Sequence, residues 1–145
     1  MAEELVTGSE LETLALAERL GRSLHGGEVV LLSGDLGCGK TVFVRGLARG
    51  LGVDPEQVSS PTFVLLTAYP GRLRLHHADL YRLDVVDVDL ELELAELPGE
   101  DGVLAVEWAE RLSGVTWDEV RRVGLEHLGE DRRLVVLEGW ERKAA

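Results

Sequence analysis

The chain has few of the features that mark secreted or membrane-embedded proteins. Cys38 is its single cysteine, so no disulfide can form within the chain, and a reducing compartment is favoured. No apolar run approaches the roughly 20 residues that a transmembrane helix needs. The first residues are acidic and lack the basic and then apolar layout of a signal peptide. We therefore expect a cytoplasmic protein with no membrane association.

Basic residues are scarce as well. Lys and Arg together number 15 against 27 Asp and Glu, which gives a formal net charge of −12. Such an acidic balance disfavours a broad nucleic-acid-binding surface, because phosphate backbones are themselves negative. Any role that involves nucleic acid should therefore operate through a partner protein. The 145 residues, with 45% hydrophobic content, otherwise fit one globular domain, and we expect residues 1–145 to form it.

One of only two lysines lies in the most informative segment, residues 34–41, which we call the P-loop. It reads GDLGCGKT and fits the phosphate-binding pattern G-x-x-x-x-G-K-[ST] at every fixed position. Glycine allows the loop to turn with its N–H groups inward, where they can bind phosphate oxygens. The lysine can reach the β- and γ-phosphates, and the following hydroxyl can bind Mg²⁺. The candidate nucleotide-binding residues here are Gly34, Leu36, Gly37, Cys38, Gly39, Lys40 and Thr41.

The sequence around the P-loop supports a nucleotide site. Residues 28–33 are apolar and β-branched, which is typical of a buried strand, and residues 42–51 have the pattern of a helix. Strand, loop and helix follow in the order that places a helix N-terminus against phosphate. Within the loop, we interpret Cys38 as a small packing residue, with a redox switch that blocks nucleotide binding as the alternative.

The spacing before the P-loop strand predicts a helix over residues 9–24. Ser9 can cap its N-terminus, and Glu12 stands three residues later, as in a capping box. The apolar residues recur at helical spacing and predict one buried face. That predicted face consists of Leu11, Leu14, Ala17, Leu20 and Leu24.

The remaining segments predict hairpins and one more helix. Residues 63–69 and 72–78 read as antiparallel strands joined by a type II turn at Pro70 and Gly71, and we expect both beside the P-loop strand. The acidic segment 84–101 is predicted to contain a helix, and residues 123–137 a terminal hairpin. The predicted fold class is therefore α/β, a single P-loop NTPase-like domain whose mixed sheet has antiparallel hairpins and is flanked by helices.

Two carboxylates stand at the ends of predicted strands. Asp79 follows the second strand of the first hairpin, and Glu107 follows the compact apolar run 103–106. In P-loop proteins a carboxylate at such a position holds Mg²⁺ or positions the attacking water. We favour Glu107 as the Mg²⁺-side acid and Asp79 as its water- or magnesium-side partner. For each residue, a helix cap or an exposed charge is the alternative. His77 shares a face with Asp79 if the strand persists, so it could shape the same site.

Four motifs together resemble the TsaE (formerly YjeE) family. The similarity is carried, in order and spacing, by the P-loop with the following FVRGL, by SPTF at 60–63, by HADLYRL at 77–83 and by VEW at 106–108. The chain differs from the usual family pattern at Cys38, Ala78 and Ala109. None of these differences removes a polar group that the chemistry needs, and the match weakens beyond Trp108.

The resemblance implies a Mg²⁺-dependent ATPase required for the threonylcarbamoyl modification of adenosine next to the anticodon of tRNA. ATP and Mg²⁺ are the implied cofactors. The implied partners are the TsaD and TsaB proteins. We expect tRNA to be contacted only indirectly and the chain to be monomeric on its own. Thr41 and Glu107 would hold Mg²⁺, and Glu10 would lie on the base side of the nucleotide. Thr62 and Asp79 would sense the γ-phosphate or its attacking water. The implied catalytic set is Lys40, Thr62, Asp79 and Glu107.

Two other function classes remain open. A small-molecule or nucleotide kinase would share the P-loop, but kinases usually carry an arginine-rich lid. The arginine pairs at 121–122 and 132–133 lie outside any clear lid insertion. We interpret the pair 132–133 as surface charges, with one of them reaching the nucleotide as the alternative. The third class is a non-hydrolysing adaptor, in which ATP binding alone drives assembly with partners.

Overall fold

The computed structural model of the chain describes residues 2–34, 39–58, 66–81, 83 and 86–140. The strands are β1 (Ala2–Thr7), β2 (Val29–Gly34), β3 (Leu66–Tyr69), β4 (Arg74–Asp79), β5 (Gly102–Glu107), β6 (Val120–Gly129) and β7 (Arg132–Glu138). The α-helices are α1 (Glu10–Arg22), α2 (Lys40–Gly50) and α3 (Val88–Ala95), with short 3-10 helices at Pro55–Gln57 and Ala109–Arg111. The predictions for Leu36, Gly37, Cys38 and Thr62 fall outside the described residues.

All seven strands belong to one sheet, in the order β1-β7-β6-β2-β5-β4-β3. β2 is parallel to both of its neighbours, β5 and β6, and β4 is parallel to β5. The pairs β1–β7, β6–β7 and β3–β4 are antiparallel. The predicted α/β class, with a mixed sheet that includes antiparallel hairpins, is therefore confirmed, as are the helices expected around the P-loop and in the acidic segment.

The central strand β2 is apolar because both of its faces are covered. Val30 and Leu32 pack in the core formed with α1 and α2. Val29 and Leu31 pack on the other face, in the core that contains Leu94 of α3. A strand covered on both sides has no solvent face on which polar residues could alternate. This burial on both faces fixes the position of β2, and the P-loop begins at the C-terminal end of this strand.

Helices α1 and α2 cross at very close range. A Cβ atom added to Gly46 would lie 2.5 Å from the Cβ of Ala17, and one added to Gly21 would lie 2.6 Å from the carbonyl oxygen of Leu47. Real Cβ atoms do not approach other atoms this closely, so the crossing needs glycine on both helices. The small residues Ala17, Gly21 and Gly46 at this crossing, and not the leucines, therefore determine how α1 is oriented.

This orientation corrects the predicted buried face of α1. Ser9 caps the helix as expected, with its hydroxyl accepting from the backbone N–H of Glu12 at 3.1 Å. Leu11, however, is 78% exposed, so its assignment to the buried face was wrong. The buried residues of the helix are Thr13, Leu16, Ala17 and Gly21. Turning the small residues toward α2 rotates Leu11 out to solvent.

The hairpin β3–β4 exists as predicted, but its turn and its place in the sheet differ. Tyr69 pairs with Leu75, so the connection is longer than a two-residue turn. Gly71 does not adopt the positive φ that a type II turn requires. A Cβ at Gly71 would instead lie 2.7 Å from the carbonyl oxygen of Leu51, so close packing explains the glycine.

The predicted position of this hairpin beside the P-loop strand is also wrong, because β5 lies between β2 and β4. Every residue of β5 is buried, whereas β4 begins with the exposed Arg74. The most uniformly apolar strand therefore takes the inner position next to β2. One consequence is that the ends of β2, β5 and β4 lie side by side. Among the described residues, no helix is long and apolar enough to cross a bilayer.

Candidate functional site

The P-loop leads into α2 through Gly39, which adopts the left-handed conformation at φ 102°. A side chain is strained in this conformation, so glycine suits the position. Because glycine has no side chain, the first N–H groups of α2 have no side-chain cap. Such N–H groups, with the positive end of the helix dipole behind them, are suited to bind an anion.

Lys40 begins α2 and is buried. Its Nζ donates a hydrogen bond to the carbonyl oxygen of Gly34 and lies 3.9 Å from the centre of the Trp108 ring. Trp108 itself has φ 61°, a left-handed conformation that costs a non-glycine residue about 1–2 kcal/mol. This backbone turn directly after Glu107 places the indole over the lysine, with Tyr81 packed at 5.2 Å between ring centres. The lysine charge is thus held at the entrance to the loop.

Thr41 and Glu107 meet at the end of β5. The Thr41 hydroxyl donates to Oε1 of Glu107 at 3.2 Å. The other oxygen of the same carboxylate, Oε2, lies 2.6 Å from Nε2 of His77, and we assign His77 as the donor because a carboxylate only accepts. Both members of this His77–Glu107 pair are buried. The carboxylate is therefore held from two sides in a fixed orientation.

Asp79 lies directly beside Glu107, because the two residues are register partners on the parallel strands β4 and β5. Burial raises the pKa of the Asp79 carboxyl above its ordinary value of 3.8, and the neighbouring Glu107 charge raises it further. A hydrogen bond from the backbone N–H of Tyr81 at 3.0 Å partly offsets this rise in pKa. Both carboxylates are buried, which excludes the interpretation of either as an exposed surface charge.

These side chains surround one cavity of about 270 Å³. Its lining residues are Glu10, Gly39, Lys40, Thr41, Val42, Asp79, Tyr81, Glu107, Trp108 and Arg133. Six of the predicted site residues therefore line the same space, and Gly34 stands at the end of β2, in contact with Lys40. In the part of the chain that the structure describes, no three His, Cys, Asp or Glu side chains form a metal-binding cluster.

Arg133 is the charged lining residue that the sequence did not assign to the site. It comes from β7, the strand next to the edge strand β1, and its exposure is intermediate. The interpretation of both arginines at 132–133 as surface charges is therefore wrong for this residue. A period-two reading places Arg133 on the same face as Val135 and Leu137, which are buried. Because Leu134 and Val136 are apolar as well, the sequence itself does not show this alternation and gives no signal that singles out Arg133.

Comparison with known proteins agrees with this arrangement. The family model described as "Threonylcarbamoyl adenosine biosynthesis protein TsaE" matches residues 7–135. The chain belongs to the TsaE family. The family takes part in tRNA threonylcarbamoyladenosine biosynthesis. The matched region includes the P-loop, both strand-end carboxylates and Arg133, and it continues well beyond Trp108, where the resemblance in the motifs weakened.

Individual TsaE proteins are similar over most of the chain. The "tRNA threonylcarbamoyladenosine biosynthesis protein TsaE" of Treponema pallidum is 38% identical over 132 residues, which cover 91% of this chain and 97% of that protein. The protein of the same name from Aquifex aeolicus is 43% identical over 113 residues, covering 77% and 80%. Among solved structures, YdiB of Bacillus subtilis matches with a TM-score of 0.69 and 30% identity, covering 94% of this chain and 84% of that one.

Proposed function

We propose that this TsaE-family chain is a Mg²⁺-dependent ATPase. It works in the cytoplasm with the TsaD and TsaB proteins during threonylcarbamoyl modification of the adenosine next to the tRNA anticodon. One observation carries the proposal. The P-loop residues Lys40 and Thr41 share a cavity with two buried carboxylates, Asp79 and Glu107, at the ends of adjacent parallel strands. This combination supplies a phosphate cradle and two acids beside it.

Each residue has a role that its position supports. The N–H groups at the start of α2 bind phosphate oxygens, and the Lys40 ammonium binds the β- and γ-phosphates of ATP. Asp79 faces the cavity and orients the attacking water through a hydrogen bond. Glu10, at the first turn of α1, lines the cavity, and its proposed role is to contact the nucleoside. The expected roles of Leu36, Gly37 and Cys38 in wrapping the phosphates, and of Thr62 as a sensor of the γ-phosphate, complete the proposal.

The donor set at the end of β5 fits Mg²⁺. A hydroxyl and a carboxylate oxygen, from Thr41 and Glu107, lie within 3.2 Å of each other. Oxygen donors are what Mg²⁺ prefers, and it is commonly bound by one or two protein ligands, with water and substrate phosphates completing the shell. Thr41 and Glu107 would hold the ion, and His77 fixes the Glu107 carboxylate for that task. When bound, Mg²⁺ neutralises charge on the β- and γ-phosphates.

The charge of the chain supports protein partners over direct contact with tRNA. With a net charge of −12, the surface repels a phosphate backbone. Hydrolysis that depends on a partner would couple ATP turnover to the partner's own chemistry. The proposal therefore expects slow hydrolysis by the isolated chain and faster hydrolysis with the TsaB–TsaD pair.

The proposal is tested by measuring phosphate release from ATP with and without the TsaB–TsaD pair. Wild type, Lys40→Ala and Glu107→Ala are compared, with Glu126→Ala as a control that removes an exposed carboxylate from β6. We expect stimulation of the wild type and the control, and loss of hydrolysis in the other two variants. Undiminished turnover in both Lys40→Ala and Glu107→Ala would disprove the assigned site.

Two further outcomes would indicate the other function classes. Transfer of labelled phosphate from ATP to a metabolite, in place of free phosphate, would identify a kinase. Partner binding and modification activity that survive Glu107→Ala or Asp79→Asn, without any hydrolysis, would identify a nucleotide-gated adaptor. Either result would replace the ATPase proposal while leaving the nucleotide site in place.

A further inference from the structure

Arg133 and the two carboxylates come from strands on opposite sides of the central strand β2. Asp79 and Glu107 lie on β4 and β5, on one side of the P-loop strand β2. Arg133 lies on β7, beyond β6 on the other side of β2. Its side chain nevertheless lines the same cavity. The site therefore has two walls, one acidic and one that carries a guanidinium.

The guanidinium lies against the loop backbone where phosphate would be bound. A Cβ built on Gly39 would lie 3.1 Å from Nε of Arg133 and 3.6 Å from its Cδ. Gly39 directly precedes the first N–H groups of α2. An anion held by those N–H groups would therefore lie within reach of the arginine, which offers five donors in a planar fork.

In the part of the chain that the structure describes, one donor of this arginine has no hydrogen-bond partner. This donor is Nη1 of Arg133, which is buried. Among the described residues, no carboxylate lies within 4.0 Å of the guanidinium, although Glu10 lines the same cavity. A buried donor without a partner lowers stability, and a buried charge without a partner lowers it more. Such a group is expected to persist where a ligand supplies the missing acceptor.

An anionic ligand in this cavity would depend on every cation that the lining offers. The described lining contains Lys40 and Arg133 as its cations and three carboxylates, in a chain of net charge −12. A nucleotide triphosphate brings several negative charges into this acidic surrounding. A single lysine offers little compensation for them, whereas a second, geometrically opposed cation adds both charge and bidentate hydrogen bonds.

We infer that Arg133 is a second phosphate-binding cation of the nucleotide site, which contacts the phosphate chain from the side opposite Thr41 and Glu107. This inference rests on the proposed nucleotide site and extends it to a residue of the C-terminal hairpin. A base contact is less suitable, because a neutral purine edge would leave the guanidinium charge uncompensated. The hairpin β6–β7 thereby becomes part of the nucleotide site.

The test is nucleotide binding by Arg133→Met, which keeps much of the side-chain length and removes the charge. Arg132→Met is the matched control, because Arg132 is the exposed neighbour on the same strand. ADP and ATP are titrated in the presence of Mg²⁺, and inorganic triphosphate and adenosine are used as separate competitors of a fluorescent nucleotide. We expect Arg133→Met to weaken ADP and ATP binding by roughly ten- to a hundredfold and Arg132→Met to leave it unchanged. Arg133→Lys should recover part of the affinity.

Competition separates the phosphate end from the base end. Loss of triphosphate competition in Arg133→Met, with adenosine competition retained, supports the inference. Loss of adenosine competition alone would assign the residue to the base and overturn it, as would equal losses in both arginine variants. If the wild type binds ADP and Arg133→Met binds it equally well, the inference alone fails. If the wild type binds no nucleotide, the proposed function fails with it.

Thermal unfolding distinguishes a binding role from a structural one. Removing an unpartnered buried donor should leave the melting temperature of the nucleotide-free protein unchanged or higher. The rise in melting temperature on adding ADP should be smaller in Arg133→Met than in the wild type, because it depends on affinity. A lower melting temperature of the free variant, together with unchanged nucleotide affinity, would assign Arg133 a structural role and overturn the inference.

Discussion

His77 and Glu107 form a buried pair in which Nε2 of the imidazole lies 2.6 Å from Oε2 of the carboxylate. The two residues come from neighbouring strands, and both are excluded from solvent. The other oxygen of Glu107 faces the Thr41 hydroxyl. A side chain with no direct access to the nucleotide therefore orients the carboxylate that the proposed site depends on.

This pair predicts the behaviour of His77 variants. His77→Ala should lower ATP hydrolysis by roughly 10- to 100-fold and raise the Mg²⁺ concentration needed for half-maximal activity, because Glu107 loses its orientation. His77→Gln should recover part of the activity, since its amide can still donate. His76→Gln is the matched control, because adjacent strand residues point to opposite faces. A Mg²⁺ requirement that does not change in His77→Ala would contradict the positioning role.

The raised pKa of Asp79 predicts opposite effects on activity and stability. Because the folded protein binds a proton on this carboxyl more tightly than the unfolded chain does, stability falls as the pH rises through the window above 3.8. At neutral pH the ionised carboxylate therefore lowers the stability of the nucleotide-free protein. Asp79→Asn removes this charge and retains an acceptor for the Tyr81 N–H.

We expect Asp79→Asn to melt a few degrees above the wild type in EDTA without nucleotide, and to hydrolyse ATP roughly a hundredfold more slowly or worse. Asp89→Asn, which changes an exposed acid of α3, should leave both quantities unchanged. Melting is followed by circular dichroism and hydrolysis by phosphate release. A variant that is less stable than the wild type would show that the ionised carboxylate stabilises the fold.

His76 predicts a pH dependence of stability. Burial lowers the pKa of this imidazole below 6.5, and the nearby Arg74 charge lowers it further. The unfolded chain therefore binds the proton more tightly, so stability is lost as the pH falls from above 6.5 toward the folded-state pKa. His76→Gln should lose less stability than the wild type between pH 7 and pH 5, as measured by urea unfolding. Arg74→Gln should show an intermediate loss of stability. Identical pH profiles of the unfolding free energy for wild type and His76→Gln would rule out His76 as the origin of the pH dependence.

The α1–α2 crossing predicts a reversal of the usual effect of glycine replacement. In a helix interior, alanine normally stabilises by about 0.5–1 kcal/mol relative to glycine. At Gly46 the added Cβ would lie 2.5 Å from the Cβ of Ala17, so Gly46→Ala should instead lower the free energy of unfolding by about 1–3 kcal/mol. Gly114→Ala, where the nearest atom would be a flexible Glu91 oxygen at 3.7 Å, should change it by less than about 0.5 kcal/mol. An unchanged or higher unfolding free energy for Gly46→Ala would mean that the helices can separate at no cost.

Much of this protein could be predicted from short-range patterns. Neighbouring residues indicate a local structure in each of three cases: the glycines and the lysine of the P-loop, the cap at Ser9, and the apolar runs of β2 and β5. The strand-end position of Glu107 follows from the apolar run of β5, and that of Asp79 from the alternating pattern of β4. Their pairing was expected because both acids stand at strand ends beside a P-loop, and it is realised by the parallel register of β4 and β5.

Other features depended on contacts between distant segments. The close crossing of α1 and α2 decides which face of α1 is buried. The spacing of the leucines alone therefore predicted wrongly that Leu11 is buried. The hairpin turn near Gly71 is shaped by the backbone at Leu51, so its two central residues did not reveal its type. The order of the strands depends on which strands bury both of their faces. Deciding this requires a comparison of the burial of all strands in the folded sheet.

By itself, the sequence determined that a phosphate loop lies between a buried strand and a helix, and that acids follow two other strands. These are properties of adjacent residues, whose spacing reflects the geometry of a strand, a loop or a helix turn. Only the tertiary structure decided that Arg133 joins them. Residues 134–137 are apolar on both faces of β7, so alternation did not reveal which arginine points inward. The pairing of β7 with β6 and β1 resolves this ambiguity, because register determines the face that each side chain occupies.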